Sequence, residues 1–215
     1  MITHSSFHPT PSVHHELKVD SVYLFPSFRY VPRISTSIAR FIQTFLLPEP
    51  PHGTHGVLSS AYERSLEVTQ GASLRSGWRD VDEVIILICG HGGRDERCGA
   101  MGPLLRSEFE KVLRQKCFSI DESATSNVPL SRKIARVGLI SHIGGHRYAG
   151  NVIIYIPPTF QEKSGPFPLA GKGIWYGRVE PRHVEGIVGE TILGGRVIAE
   201  LFRGGVGQNG EILRL

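Results

Sequence analysis

Two pairs of residues in this chain have the types and spacing to do inorganic chemistry. Cys89 and Cys98 bracket the run Cys-Gly-His-Gly-Gly-Arg-Asp-Glu-Arg-Cys, a Cys-x8-Cys pattern, and His142 and His146 bracket His-Ile-Gly-Gly-His, a His-x3-His pattern. Thiolate and neutral imidazole are the soft and borderline donors that select iron–sulfur clusters or zinc. Neither pair is specific alone, since most such cysteines are unligated and most single histidines are core or surface residues. Their joint occurrence carries the metal reading. Each pair begins where a run that reads as a buried strand ends: residues 84–89, Val-Ile-Ile-Leu-Ile-Cys, and residues 137–142, Val-Gly-Leu-Ile-Ser-His. Open α/β sheets place their ligands at such strand ends. Cys89, Cys98, His142 and His146 are therefore the candidate ligands of one centre, a [2Fe-2S] cluster first and zinc as the alternative. Gly90, Gly92, Gly93, Gly99, Gly144 and Gly145 are expected to let the backbone turn through positive φ and come close to a bulky group. Two glycines inside His-x3-His would cost about 1 kcal/mol each in a helix, which puts that motif on a turn.

Both cysteines precede both histidines, so the interleaved order of a Rieske site is absent. A zinc-stabilised binding module would use the same four residues, although the usual Cys-x(2–4)-Cys spacing of zinc sites is not met. A thiol enzyme would instead use Cys98 as a nucleophile activated by Arg94, Arg97 and His91, and would leave both histidines without a role. Around the centre, His91 and Arg94 read as tuning or docking residues or as plain exposed loop. Asp95, Glu96 and Arg97 read as a solvated charge cluster, Cys117 as a packed or free thiol, Trp175 and Tyr176 as strand core, and His183 as structural.

The elements that must position these residues follow from periodicity. Residues 1–20 carry His4, His8, His14 and His15 among Ser, Thr and Pro and read as a flexible polar terminus. A short β-prone run at 22–25 is closed by Pro26. Ile38, Phe41, Ile42, Phe45 and Leu46 form the stripe of an amphipathic helix over 36–47, stopped by Pro48. Residues 48–79 have no sustained period and read as a linker. This divides the chain into an N-terminal segment, 1–79, and a domain, 80–215. In the domain, Gly102 and Pro103 are expected to open a helix, with proline at the first position. Leu105, Phe109, Val112 and Leu113 lie on one face of it, and Lys111, Arg114 and Lys116 suit its C-terminal dipole. A polar loop over 121–133 leads to the second strand. Further strands are expected at 152–156, stopped by Pro157 and Pro158, and at 173–179. A last helix runs from Pro181 through Val184, Ile187, Val188 and Ile192 to Gly194 and Gly195. The order βα, β, β, β, α predicts an α/β, thioredoxin-like sandwich, with a central mixed sheet and flanking helices.

Composition narrows the class. Of 215 residues, 40% are hydrophobic and 20% charged, the balance of a soluble globular chain. The longest apolar runs fall far short of the roughly 18 residues that span a bilayer, so no membrane span is expected. The net charge of +4 is spread without a basic cluster interleaved with aromatics, which argues against nucleic acid as a partner. Three cysteines, an odd and low count, argue against a secreted disulfide framework. The first twenty residues lack the apolar core of a secretory signal, and with Glu16, Asp20 and no arginine before Arg29 they make a poor transit peptide.

Residues 88–99, 141–146 and 148–155, extended by Trp175-Tyr-Gly-Arg178 and by His183 and Val184, resemble the sucrase/ferredoxin-like family. The likeness covers most of 80–203, and the phrase 22–27 extends it upstream. The resemblance implies a thioredoxin-like ferredoxin domain with a bis-histidinyl, non-Rieske [2Fe-2S] cluster. Cys89 and Cys98 would be its thiolate ligands, and His142 and His146 its imidazole ligands. It further implies a mitochondrial setting and a role in electron transfer between unidentified donor and acceptor proteins, rather than sucrose hydrolysis or an enzyme with its own substrate. Relatives are expected to be longer at the N-terminus. Two thiolates and two neutral imidazoles bring an oxidised core of about +2 to about 0, so the potential is expected above the roughly −400 mV of plant-type ferredoxins, towards the Rieske range. A free ring nitrogen on a ligating imidazole would couple that potential to pH.

Overall fold

The computed structural model describes residues 2–10, 20–34, 41–42, 45–46, 78–120, 133–144, 149–162 and 165–215. The chain divides into two compact units: Met1–His8, Phe25–Phe28 and Val81–Leu215 form the larger, and Pro9–Leu24 with Arg29–Asp80 the smaller. In the smaller unit, Val22–Leu24 (β1), Arg29–Val31 (β2) and Arg79–Asp80 (β3) form an antiparallel sheet in that order. Its aromatic residues secure it: the Tyr23 and Tyr30 rings lie 4.6 Å apart, and the Arg29 guanidinium sits 4.5 Å above the Trp78 ring. Of the helix expected over 36–47, Phe41, Ile42 and Phe45 are helical, and the Leu46 N–H donates to the Ile42 carbonyl at 2.9 Å. The remainder of that stretch lies outside the described residues.

Six consecutive apolar residues cannot alternate between core and solvent, so Val84–Cys89 (β4) must be covered on both faces; five of its six residues are buried. The chain continues through a helix, Glu96–Gln115 (α1), a short strand, Ser119–Ile120 (β5), and Ile134–Ile140 (β6). Val152–Ile156 (β7) and a small hairpin, Gln161–Glu162 (β8) with Gly165–Pro166 (β9), precede Lys172–Tyr176 (β10). One helical run then spans Pro181–His183 as a 3-10 turn, Val184–Ile187 (α2) and Val188–Leu193 as a π turn. Phe202–Gly207 (β11) and Ile212–Leu213 (β12) end the chain. The seven-stranded sheet has the order β12-β11-β10-β7-β4-β6-β5. β4 is parallel to β6 and antiparallel to β7, which is antiparallel to β10. A parallel β-α-β unit followed by an antiparallel pair and a helix, ordered β10-β7-β4-β6, is the thioredoxin-like arrangement. The fold is α/β with a central mixed sheet and flanking helices.

Alternation along the strands gives this sheet two cores. Val84, Ile86, Ile88, Ile154 and Ile174 pack with Leu105, Phe109 and Leu113 of α1 and with Val184, Ile187 and Ile192 of the later helical run. Of the intervening residues, Ile85, Ile153 and Tyr155 are buried on the opposite face, where the Phe25 ring stacks on Tyr155 at 3.6 Å and Phe28 meets it edge-on. Arg136 of β6 also lies inside and donates to Glu83 at 2.9 Å, with 3% and 5% of the two side chains exposed.

Three expectations change. First, α1 begins at Glu96, not at Gly102. Asp95 is its N-cap, accepting the Arg97 N–H at 2.9 Å, and Pro103 lies inside the helix. Asp95 is thus a capping residue paired with Arg97 at 2.8 Å rather than one of a solvated trio. Second, the first residues are not a loose polar terminus. Ser5 bridges to Ile140, the Ser6 N–H donates to the Leu139 carbonyl at 2.8 Å, and the Ser141 N–H donates to His4 at 2.9 Å. They cover the edge of β6 where short β5 leaves it open. His14 and His15 lie outside the described residues. Third, β11 and β12 were not expected, because Phe-Arg-Gly-Gly-Val-Gly reads as loop.

Candidate metal centre

Cys89 is the last residue of β4, and its backbone is held from both sides. Its N–H donates to the Asn151 carbonyl at 3.0 Å, and the next N–H, of Gly90, donates to the Ile140 carbonyl at 3.1 Å. The parallel register pairs Cys89 with Ile140. The chain leaving β6 therefore passes beside Cys89 two residues later, and the His142 Nδ1 lies 4.0 Å from the Cys89 Sγ. Cys89 is buried and His142 half-buried.

Cys98 reaches the same place from α1. It sits in the first turn of the helix, three residues after the cap, and is fully buried. What permits this is backbone-to-backbone packing. A Cβ on Gly99 would lie 2.6 Å from the Gly92 Cα, and one on Gly102 would lie 2.9 Å from the Gly90 Cα and 3.0 Å from the Cys89 oxygen. These glycines bring the helix against the loop; contrary to expectation, Gly90, Gly92, Gly93 and Gly99 do not adopt positive φ, and of the expected turn glycines in the described residues only Gly144 does, at 73°. Gly145 lies outside the described residues.

The electrostatics agree with adjacent sulfurs. Burial pushes the Cys98 thiol up to about 11, and the charge and hydrogen bond of neighbouring Cys89 push the same way. An activated nucleophile would need the opposite shift. Arg97, assigned to activation in that reading, is engaged with Asp95, and His91 and Arg94 are exposed. A cation held between two such sulfurs reverses the logic, stabilising both as thiolates.

Three of the four candidate ligands are thus brought together, from positions separated by as many as 53 residues. The fourth, His146, lies outside the described residues. Among the described residues no group of three or more Cys, His, Asp or Glu side chains is already closed to the spacing of a metal grip. In donor type and burial, however, Cys89, Cys98 and His142 suit a cluster that takes both thiolate and imidazole. Cys117 is exposed and plays no part in the site. Tyr176 is buried, its hydroxyl bonded to the Thr191 hydroxyl at 2.7 Å, and the Glu180 N–H donates to the His183 Nδ1 at 3.1 Å; both are structural.

One residue escaped the sequence reading. Asn151, 7% exposed, donates from Nδ2 to the Ile143 carbonyl at 3.1 Å, while its own carbonyl accepts the Cys89 N–H. A polar residue directly before the all-apolar β7 was the available signal.

Fold and site together define a thioredoxin-like domain with cysteines and a histidine converging where its first two parallel strands end. The chain belongs to the sucrase/ferredoxin-like family, whose pattern matches residues 1–204. Among its relatives, altered inheritance of mitochondria protein 32 of Meyerozyma guilliermondii is 37% identical over 183 residues, 85% of this chain and 56% of that protein. The protein of the same name from Debaryomyces hansenii is 35% identical over 189 residues, 87% of this chain and 60% of that protein. The chain therefore spans a little over half the length of these relatives. Among solved structures, the wild-type thioredoxin-like [2Fe-2S] ferredoxin from Aquifex aeolicus aligns with a TM-score of 0.36 and 16% identity, covering 57% of this chain and 97% of that one. No helix among the described residues is long and apolar enough to cross a membrane.

Proposed function

We propose that this chain is a mitochondrial electron-transfer protein that holds a [2Fe-2S] cluster through Cys89, Cys98, His142 and His146. The observation that carries the reading is the buried Cys89 sulfur, which lies 4.0 Å from the His142 Nδ1 and interacts with the Cys98 thiol. Family membership and the shared name of the relatives support the redox role and the mitochondrial setting. When bound, such a cluster supplies a one-electron couple. Cys89 and Cys98 would contribute negative charge as thiolates, and His142 and His146 would ligate as neutral imidazoles, leaving the site near zero charge. The ladder bonds at Cys89 and the close packing of α1 keep the sulfurs in place and away from water. The half-buried His142 would be the ligand reachable by a donor or acceptor protein.

Anaerobically purified protein is expected to be red-brown, with about two iron and two acid-labile sulfide per chain and a rhombic EPR signal on reduction. Cys89→Ser and Cys98→Ser should abolish the signal, and His142→Ala or His146→Ala should abolish or alter it. A colourless protein with one zinc bound by the same residues would replace this reading with that of a zinc-stabilised module.

A further inference from the structure

We infer that Asn151 is the positioning residue of the centre, joining the cysteine strand to the histidine loop. This rests on the metal reading above. Asn151 hydrogen-bonds to both sides of the site. Its backbone carbonyl accepts from Cys89 N–H at 3.0 Å, and its side-chain amide donates to Ile143, the residue after His142, at 3.1 Å. Because the Ile143 carbonyl can only accept, the amide orientation is fixed. The amide also packs against Gly144, where a Cβ would lie 3.1 Å from both its nitrogen and its oxygen. Gly144 turns through φ 73°, so the loop after His142 bends tightly around the Asn151 side chain.

The Cys89 side of the site is secured by the sheet, and the Asn151 amide ties the loop that carries His142 to it. Residues that orient a metal ligand without touching the metal typically account for about 10–100-fold in metal affinity. Asn151 is placed to act in this way, through His142.

Asn151→Asp tests the inference. It keeps the size and the backbone bond but replaces the donor with an acceptor that repels the Ile143 carbonyl. Two readouts separate this inference from the cluster reading. In metal-free protein, amide hydrogen exchange over residues 142–144 should be about tenfold faster than in wild type, the factor one lost buried hydrogen bond implies, with 84–88 unchanged. In loaded protein, metal release to a chelator should be at least about tenfold faster, and the histidine nitrogen couplings in pulsed EPR should change. Leu113→Ala, in the core of α1, should lower the melting temperature without moving either local readout. If Asn151→Asp does not fold, Gly144→Ala strains the same contact from the other side and should give the same two changes. Exchange and release within about twofold of wild type in a folded variant, or the same local changes in Leu113→Ala, overturn the role. A wild type that binds no cluster refutes the metal reading, and the exchange measurement then still decides whether Asn151 holds the loop.

Discussion

Gly102→Ala puts two physical effects in opposition, and the structure says which wins. An alanine in a helix interior is more favourable than a glycine by about 1 kcal/mol, so helix propensity alone predicts a more stable protein. At this position, however, the new Cβ would lie 2.9 Å from the Gly90 Cα, 3.0 Å from the Cys89 oxygen and 3.3 Å from a Leu139 methyl. Two of these are backbone atoms, and they cannot retreat: Cys89 and Gly90 are bonded to Asn151 and Ile140 on either side. Restoring ordinary contact at about 3.5–4.0 Å requires α1 to back away by roughly 0.5–1 Å. Overpacking of this kind costs about 1–3 kcal/mol, so the net change is a loss of roughly 0–2 kcal/mol in urea denaturation. The more telling change is local. Moving α1 carries Cys98 away from Cys89, so metal content per chain should fall while circular dichroism stays native. Gly99→Ala, with its 2.6 Å approach to Gly92, should do the same through a more exposed loop. If Gly102→Ala gains about 1 kcal/mol and keeps full metal content, the close packing does not hold the sulfurs together.

Breaking the buried Glu83–Arg136 pair with Glu83→Leu or Arg136→Met alone should cost about 3–5 kcal/mol, because each removes the ion-pair partner of a buried charge. The double replacement should recover much of this in urea titrations, and a double variant no better than the singles would show that the pair is not the main partner of either residue. Stability should also decline above about pH 10. Burial raises the Tyr155 hydroxyl to about 12, against the opposing effect of its hydrogen bond with Trp175, and burial raises Tyr176 as well. The unfolded chain then loses protons first, so the contribution is whole below pH 10 and drains away at about 1.4 kcal/mol per pH unit for each tyrosine up to its folded value. Melting curves of Tyr155→Phe between pH 9 and 11, about the ionisation range of free tyrosine, should show a shallower decline; an unchanged slope would assign the effect elsewhere.

How much was legible in the sequence follows from what each element is made of. Residues 84–89 and 152–156 were located by their unbroken apolar runs, because strands buried on two faces must be apolar throughout. The apolar face of α1 was equally plain, but its start was misplaced. Pro103 and the glycines before it look like a helix entrance, whereas the true cap, Asp95, is hidden in a charged run. Gly99 and Gly102 are poor helix formers retained for approach, not for turning, and sequence does not distinguish the two. The pairing of residues 4–6 with β6 uses backbone groups and so left no side-chain pattern. The approach of Cys89 to His142 was inferred from strand ends, and the register of β4 with β6 supplies the reason for it. Asn151 left only a faint trace, a polar residue directly before an apolar strand, because its partner is a main-chain carbonyl that no motif records.

The site is therefore supported unequally. Cys89 is fixed by two strand ladders and Cys98 by a glycine interface, both built from backbone, so a change there disturbs fold and site together. His142 leaves the sheet on a loop held by the Asn151 amide and turned at a left-handed glycine. A change there can move the ring without loosening either core. Buried Cys–Cys proximity needs a rigid frame, because two sulfurs pressed together without a cation repel once ionised. An imidazole carries no such penalty when neutral, and a loop can bring it in. In the proposed centre the sulfur half would thus be preorganised by the fold and the histidine half adjustable, so that single substitutions there would retune the site while the domain stays intact.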